Sequence, residues 1–113
     1  MKKNCLLIVI CFIHLALHAQ TFPSSFTDGK FITVNGAKLW VVLVGKGEPI
    51  IIIPGGPGGN HLGYRSFDSL ANTNTIVYFD AFGRGKSDTA KDVKEYSLAR
   101  DIEDLESLRI ALH

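Results

Sequence analysis

The sequence predicts an α/β fold in which an antiparallel β-hairpin leads into a mostly parallel sheet with flanking helices. An Asn-Gly pair separates two runs rich in β-branched and aromatic residues, the strongest short-range sign of a hairpin. Further along, four consecutive isoleucines show no apolar-polar alternation, the pattern of a parallel strand covered on both faces. Two helical segments then alternate with strands, as a layered α/β sheet requires.

Residues 20–30 include Pro23, Ser24, Ser25, Asp28 and Gly29 and read as a polar arm before the first strand. Residues 31–34 and 38–44 form the hairpin strands around Asn35-Gly36. Gly45-Lys46-Gly47-Glu48 is the next loop, and residues 50–53 are the isoleucine strand. Asn60 is placed to cap a helix over residues 61–71 with Leu62, Phe67 and Leu70 on its apolar side. A strand over residues 75–79 ends at Asp80. Beyond a charged connector, Ser97 caps a helix to Leu112, whose stripe is Leu98, Ile102, Leu105, Leu108 and Leu112; Asp104 and the other charged residues read as its solvated faces.

Composition bounds the possibilities. The chain has 113 residues, 46% apolar and 20% charged, with a formal net charge of +1. Residues 1–19 contain 14 apolar residues and two lysines; without them 38 of 94 residues are apolar, and 10 basic residues face 11 acidic ones. That balance lacks the basic footprint of a nucleic-acid binder and the apolar-poor character of a disordered chain. The remaining 94 residues make at most one small domain with a marginal core.

Lys2 and Lys3 precede a 13-residue apolar stretch, Cys5 to Leu17, interrupted only by His14. A membrane-spanning helix needs about 20 apolar residues, so the stretch is too short for a span and has the layout of a secretory signal peptide. Cleavage is expected after Ala19, giving an exported protein, periplasmic or extracellular, with no stable membrane anchor. Cys5 and Cys11 leave with the signal, which excludes disulfides, a thiol nucleophile and a cysteine zinc site from the mature chain.

Two glycine-rich loops carry the functional reading, because each follows a strand and ligands of open α/β sheets gather at strand carboxyl ends. The first is Pro54-Gly55-Gly56-Pro57-Gly58-Gly59. A Gly/Pro cluster is first of all a turn, but its glycines also let backbone NH groups face an oxyanion. The second is Asp80-Ala81-Phe82-Gly83-Arg84-Gly85-Lys86-Ser87. It is no phosphate loop, since Asp80 stands where that motif needs its first glycine. It is no dinucleotide loop either, since Asp88 replaces the third glycine. No nucleotide and no cofactor is expected, and two widely separated histidines, His61 and His113, make no metal site.

An apolar strand followed by Gly-Gly-Pro-Gly, a helix, and a strand ending in Asp-x-x-Gly-x-Gly-x-Ser resembles the opening part of an α/β-hydrolase. Within that superfamily the chain looks most like the proline iminopeptidase group, whose signatures are His-Gly-Gly-Pro-Gly and Asp-Gln-Arg-Gly-x-Gly-x-Ser. The resemblance covers roughly residues 31–112 and implies an incomplete hydrolase domain over residues 31–113. It places Gly55 and Gly56 in an oxyanion loop, with the Gly56 NH as donor and Pro57 and Gly58 shaping the same turn. Asp80, Gly83, Gly85 and Ser87 would shape the turn beneath the site. Two departures bear on substrate: Pro54 stands where the family has histidine, and Ala81-Phe82 stands where the iminopeptidases have Gln-Arg. The implied substrate is a peptide or small acyl compound, with aminopeptidase activity ahead of esterase, lipase or epoxide hydrolase chemistry.

The catalytic residues of such an enzyme are absent from this stretch. The nucleophile needs a Gly-x-Ser-x-Gly elbow followed by an acid and a histidine. Ser24, Ser25, Ser66, Ser69, Ser87, Ser97 and Ser107 all lie outside such a motif; Gly85-Lys86-Ser87-Asp88-Thr89 lacks its closing glycine. Ser87 therefore reads as a turn residue bonded to its own backbone, and His61 as part of a first helical turn. The expectation is the front part of a longer hydrolase, inactive alone; the alternative is a small non-catalytic binding protein. Without the nucleophile strand beside it, the isoleucine strand would become a sheet edge.

Overall fold

The computed structural model describes residues 28–55 and 58–112; the expected export signal, most of the arm, Gly56, Pro57 and His113 lie outside them. Asn35 (φ 47°) and Gly36 (φ 78°) both adopt positive φ, the conformation of a type I′ turn, which matches the right-handed twist of the strands it joins. That turn pairs β1 (Lys30–Val34) antiparallel with β2 (Ala37–Gly45), from Val34↔Ala37 to Lys30↔Val41. Next come β3 (Glu48–Ile52), a 3-10 helix (His61–Asn72), β4 (Asn74–Phe79), a short 3-10 turn (Val93–Glu95) and helix α1 (Leu98–Ala111). Among the described residues, the four strands form one sheet ordered β1-β2-β4-β3, with β2 antiparallel and β3 parallel to β4.

Strand alternation divides the core between the two sheet faces. Leu39, Val41, Val77 and Phe79 point to one face, where Leu108 of α1 covers them together with Val34 and Phe82. Trp40, Val42, Val44, Ile76 and Tyr78 point to the other, under Tyr64 and Ala71 of the 3-10 helix. Helices on opposite faces of a partly parallel sheet are the expected α/β layering.

Several expectations need correction. The helix after Asn60 forms with the expected cap, Asn60 Oδ1 accepting from the Leu62 NH, but it is a 3-10 helix kinked at Tyr64 (φ −116°, ψ 16°). With the kink at Tyr64, His61, Tyr64, Asp68 and Ala71 turn inward, while Leu62 (56% exposed), Phe67 and Leu70 face out. The isoleucine strand ends at Ile52 and is only half-buried because it is a sheet edge; Ile53 is 61% exposed. In α1, Ser97 caps as expected, and Leu105, Leu108 and Leu112 pack on the sheet. Leu98 (75% exposed) and Ile102 border the hollow at the carboxyl ends of β3 and β4 and stay largely in solvent.

Asp104, read from the pattern as solvated, is buried. Its Oδ1 accepts from Asn35 Nδ2 at 2.7 Å, its Oδ2 from Arg100 Nε at 3.1 Å, and Arg100 Nη2 also reaches the Asn35 carbonyl at 3.3 Å. A buried carboxylate requires such donors, so the hairpin turn itself is bonded to α1.

Leu108→Ala should lower unfolding free energy by about 2–5 kcal/mol, while Leu62→Ser and Leu70→Ser should each change it by less than about 0.5 kcal/mol, as read by urea denaturation. A second expectation concerns Tyr78, whose hydroxyl donates to Asp68 Oδ1 at 2.7 Å. Burial, and then the Asp68 carboxylate, push its phenol above the ordinary tyrosine value. The folded state therefore keeps this proton after the unfolded chain has lost it, so Tyr78 costs stability as pH rises above about 10, by at most about 1.4 kcal/mol per pH unit. Tyr78→Phe should remove that component of the alkaline decline.

Candidate functional site

The two glycine loops leave the sheet at the carboxyl ends of β3 and β4, which are adjacent and parallel. Asp80, the first residue after β4, is fully buried. Its Oδ1 accepts from the backbone NH and from Nδ1 of His61, each at 2.8 Å, and its Oδ2 accepts from the Lys86 NH at 2.9 Å. One carboxylate thus ties the end of the first loop to the middle of the second. Both oxygens receive a backbone donor, which is how a charge survives out of water.

Gly85 is required by that geometry. Its φ is +53°, and a Cβ there would fall on the Asp80 carboxylate. Gly83 lies against the Tyr96 ring, and its NH donates to the Asp88 carbonyl at 2.8 Å. Ser87 does more than serve its own turn: Oγ donates to the Asp80 carbonyl at 2.5 Å and accepts from the Trp40 NH at 2.8 Å, joining the loop to β2. Asp88 continues the attachment, its NH donating to the Lys38 carbonyl and its Oδ2 accepting from the Lys38 NH, both at 2.9 Å. The second loop is therefore fastened along β2 as if it were another short strand.

The Ala81-Phe82 departure has a structural account. Both side chains are buried; the Phe82 ring packs 5.6 Å from that of Tyr96, and the Arg100 guanidinium lies over it at 4.3 Å. Position 82 here builds core rather than presenting a polar group. In the first loop, the Gly55 NH donates to the Tyr64 hydroxyl at 2.6 Å and is occupied. Gly56 and Pro57 lie outside the described residues. Gly58 is exposed at the turn, and His61 is the buried first residue of the 3-10 helix.

Between the loops and α1 lies a cavity of about 330 Å³ lined by Ile53, Pro54, Phe79, Leu98, Ile102 and Leu105. Its polar rim is the Arg84–Asp101 ion pair, with Nη2 and Oδ2 3.0 Å apart. Among the described residues no cluster of three or more His, Cys, Asp or Glu side chains is placed to hold a metal ion. The His61–Asp80 pair escaped sequence reading because its members are 19 residues apart with no periodic relation. The only hint was an aspartate where a buried strand ends.

No family model matches the sequence. The chain is 33% identical over 91 residues to a proline iminopeptidase of Heyndrickxia coagulans, covering 78% of this chain and 31% of that protein. It is 32% identical over 84 residues to a cis-3-alkyl-4-alkyloxetan-2-one decarboxylase of Shewanella oneidensis, covering 74% of this chain and 26% of that one. An epoxide hydrolase of Vigna radiata superposes with a TM-score of 0.70 at 22% identity, over 75% of this chain and 28% of its own, which is a likeness of fold. The chain spans less than a third of the length of each.

Asp80→Ala should cost about 2–5 kcal/mol of unfolding free energy, because two backbone NH groups and an imidazole lose their acceptor inside the fold. Gly85→Ala should cost about 1–3 kcal/mol through its positive φ and its contact with the same carboxylate. Chemical denaturation measures both.

Proposed function

Since the described residues carry part of the α/β-hydrolase fold in a proline iminopeptidase-like form, we propose that the chain is the front part of an exported serine aminopeptidase. The observation that carries this reading is the joining of the two glycine loops by Asp80 at the carboxyl edge of adjacent parallel strands.

The open edge of β3 supports the rest. Leu112, one residue past the end of α1, sits beside Pro49 and Ile51 around a hollow of about 270 Å³. A strand following α1 would start there and run parallel to β3 toward the larger cavity at Ile53 and Leu98, the usual crossover between parallel strands. A Gly-x-Ser-x-Gly elbow at its end would present a serine beside the first loop. In that enzyme the serine Oγ attacks the substrate carbonyl carbon while a downstream histidine takes its proton. Backbone NH groups of the first loop, Gly56 foremost, hold the oxyanion. The histidine then returns the proton to the leaving amine, and water hydrolyses the acyl-enzyme. The described chain holds the loop and lacks the nucleophile, so alone it turns over no substrate.

A second reading keeps the fold and changes the substrate to a small ester or another acyl compound. It is favoured by Pro54 and the buried Phe82, which replace polar family positions. Continuing the reading frame past His113 should show Gly-x-Ser-x-Gly within about two dozen codons; its absence in every frame sinks both readings. With the motif present, faster hydrolysis of a prolyl anilide than of a simple acyl ester supports the peptidase, and the reverse order supports the esterase.

A further inference from the structure

The pair that makes the hairpin turn is also the pair in this chain whose side-chain amide is most open to attack by the following peptide. Of the five asparagines, Asn35 alone precedes a glycine. Gly36 has no side chain to shield its backbone nitrogen, it is exposed, and even a Cβ there would meet no atom within 4 Å. What restrains Asn35 is its bonding to α1. Its Nδ2 donates to Oδ1 of the buried Asp104 at 2.7 Å, and its Oδ1 accepts from Ser107 Oγ at 3.4 Å, so both ends of the carboxamide are held on the helix. The Asn35 carbonyl accepts from Arg100 Nη2 at 3.3 Å.

We propose that Asn35 is a site of spontaneous deamidation, shielded while its carboxamide is bonded to α1, whose product cannot restore that bond. The Gly36 backbone nitrogen gives its proton to hydroxide and attacks Asn35 Cγ. The new C–N bond closes a cyclic imide, and the Cγ–Nδ2 bond breaks, the departing nitrogen taking a proton from water and leaving as ammonia. Water then opens the imide at either carbonyl, giving aspartate or isoaspartate at position 35. For the attack, the carboxamide must leave Asp104 and Ser107 and turn onto the next peptide, so the folded state opposes the reaction. Afterwards the Nδ2 donor is gone. Aspartate sets a second carboxylate against Asp104, with the single Arg100 guanidinium between them. Isoaspartate adds a methylene to the main chain of a two-residue turn whose length sets the β1–β2 register. Either product separates the hairpin turn from α1, and refolding does not reverse it.

The test incubates the 113-residue chain in mildly alkaline buffer with and without guanidinium chloride and follows amide-to-acid conversion by peptide mapping and mass spectrometry. In denaturant Asn35 should react faster than Asn60, Asn72 and Asn74, and without denaturant it should react at least about tenfold more slowly than with it. Equal Asn35 rates in the two buffers, or no lead over the other asparagines in denaturant, overturns the proposal. The consequence is read on Asn35→Asp, which reproduces one product. Asp-Gly suits a type I′ turn as Asn-Gly does, so a loss of stability reports the Asp104 contact rather than the turn. Its Tm should fall by at least about 5 °C, and Asp104→Asn added to it, which returns an amide donor to the pair, should recover at least about half of the loss. If Asn35→Asp alone does not fold, the double substitution should restore a cooperative transition. An unchanged Tm in Asn35→Asp, or no recovery in the double substitution, overturns the proposal as well. Neither measurement involves a nucleophile or a substrate, so this inference and the hydrolase reading fail separately.

Discussion

Asp80 brings a negative charge out of water at the end of β4, and the arrangement of both glycine loops follows from what that charge requires. Its oxygens take donors from the backbone of His61 and Lys86 and from the His61 ring. To deliver the two His61 donors, the loop after β3 must close back over the sheet before the 3-10 helix starts. To deliver the Lys86 NH, the loop after β4 must curl so tightly that position 85 has no room for a side chain. A neutral residue at position 80 would remove the bonds that join the two loops to each other, leaving the second attached to β2 through Ser87 and Asp88 and the first to Tyr64.

At the same end of the sheet, beside β1 and β2, the same device recurs. Asp104 draws Asn35 and Arg100 together and so connects the hairpin turn to α1. Each acid joins segments remote in sequence, and each is fully enclosed. Between them the covering of the sheet is unequal: β2 and β4 are packed on both faces, whereas β3 has a neighbour on one side only. Apolar side chains of β3 and α1 line the hollows along that open edge. An isoleucine-rich strand left without a partner is an association hazard for any chain that ends its sheet there.

Local chemistry was legible in the sequence, and long-range pairing was not. Asn35-Gly36, Asn60 and Ser97 act through conformations and bonds spanning a few residues, and each does what its type implies. The isoleucine run indicates a parallel strand, and its place at the edge follows from the missing neighbour rather than from the run itself, because edge or centre depends on neighbours. Leu62, Phe67 and Leu70 face outward because the segment winds as a 3-10 helix and kinks at Tyr64, so an α-helical period does not hold along it. Asp104 misleads for a different reason. Charged and polar residues read as surface until a partner dozens of residues away is known, and no periodicity encodes that partner.

The two family positions that this chain changes sit on either side of the Asp80 junction. Pro54 opens the first loop, and Phe82 builds core next to the second; the junction itself keeps its aspartate, its glycines and Ser87. Its strength is open to a double-mutant cycle on His61→Ala and Asp80→Ala, with stability read by denaturant unfolding. If the buried carboxylate joins the loops, the two changes should be non-additive, with a coupling energy above about 1 kcal/mol. Additive losses, with coupling near zero, would contradict the account, because the imidazole would then be a neighbour of Asp80 rather than its partner.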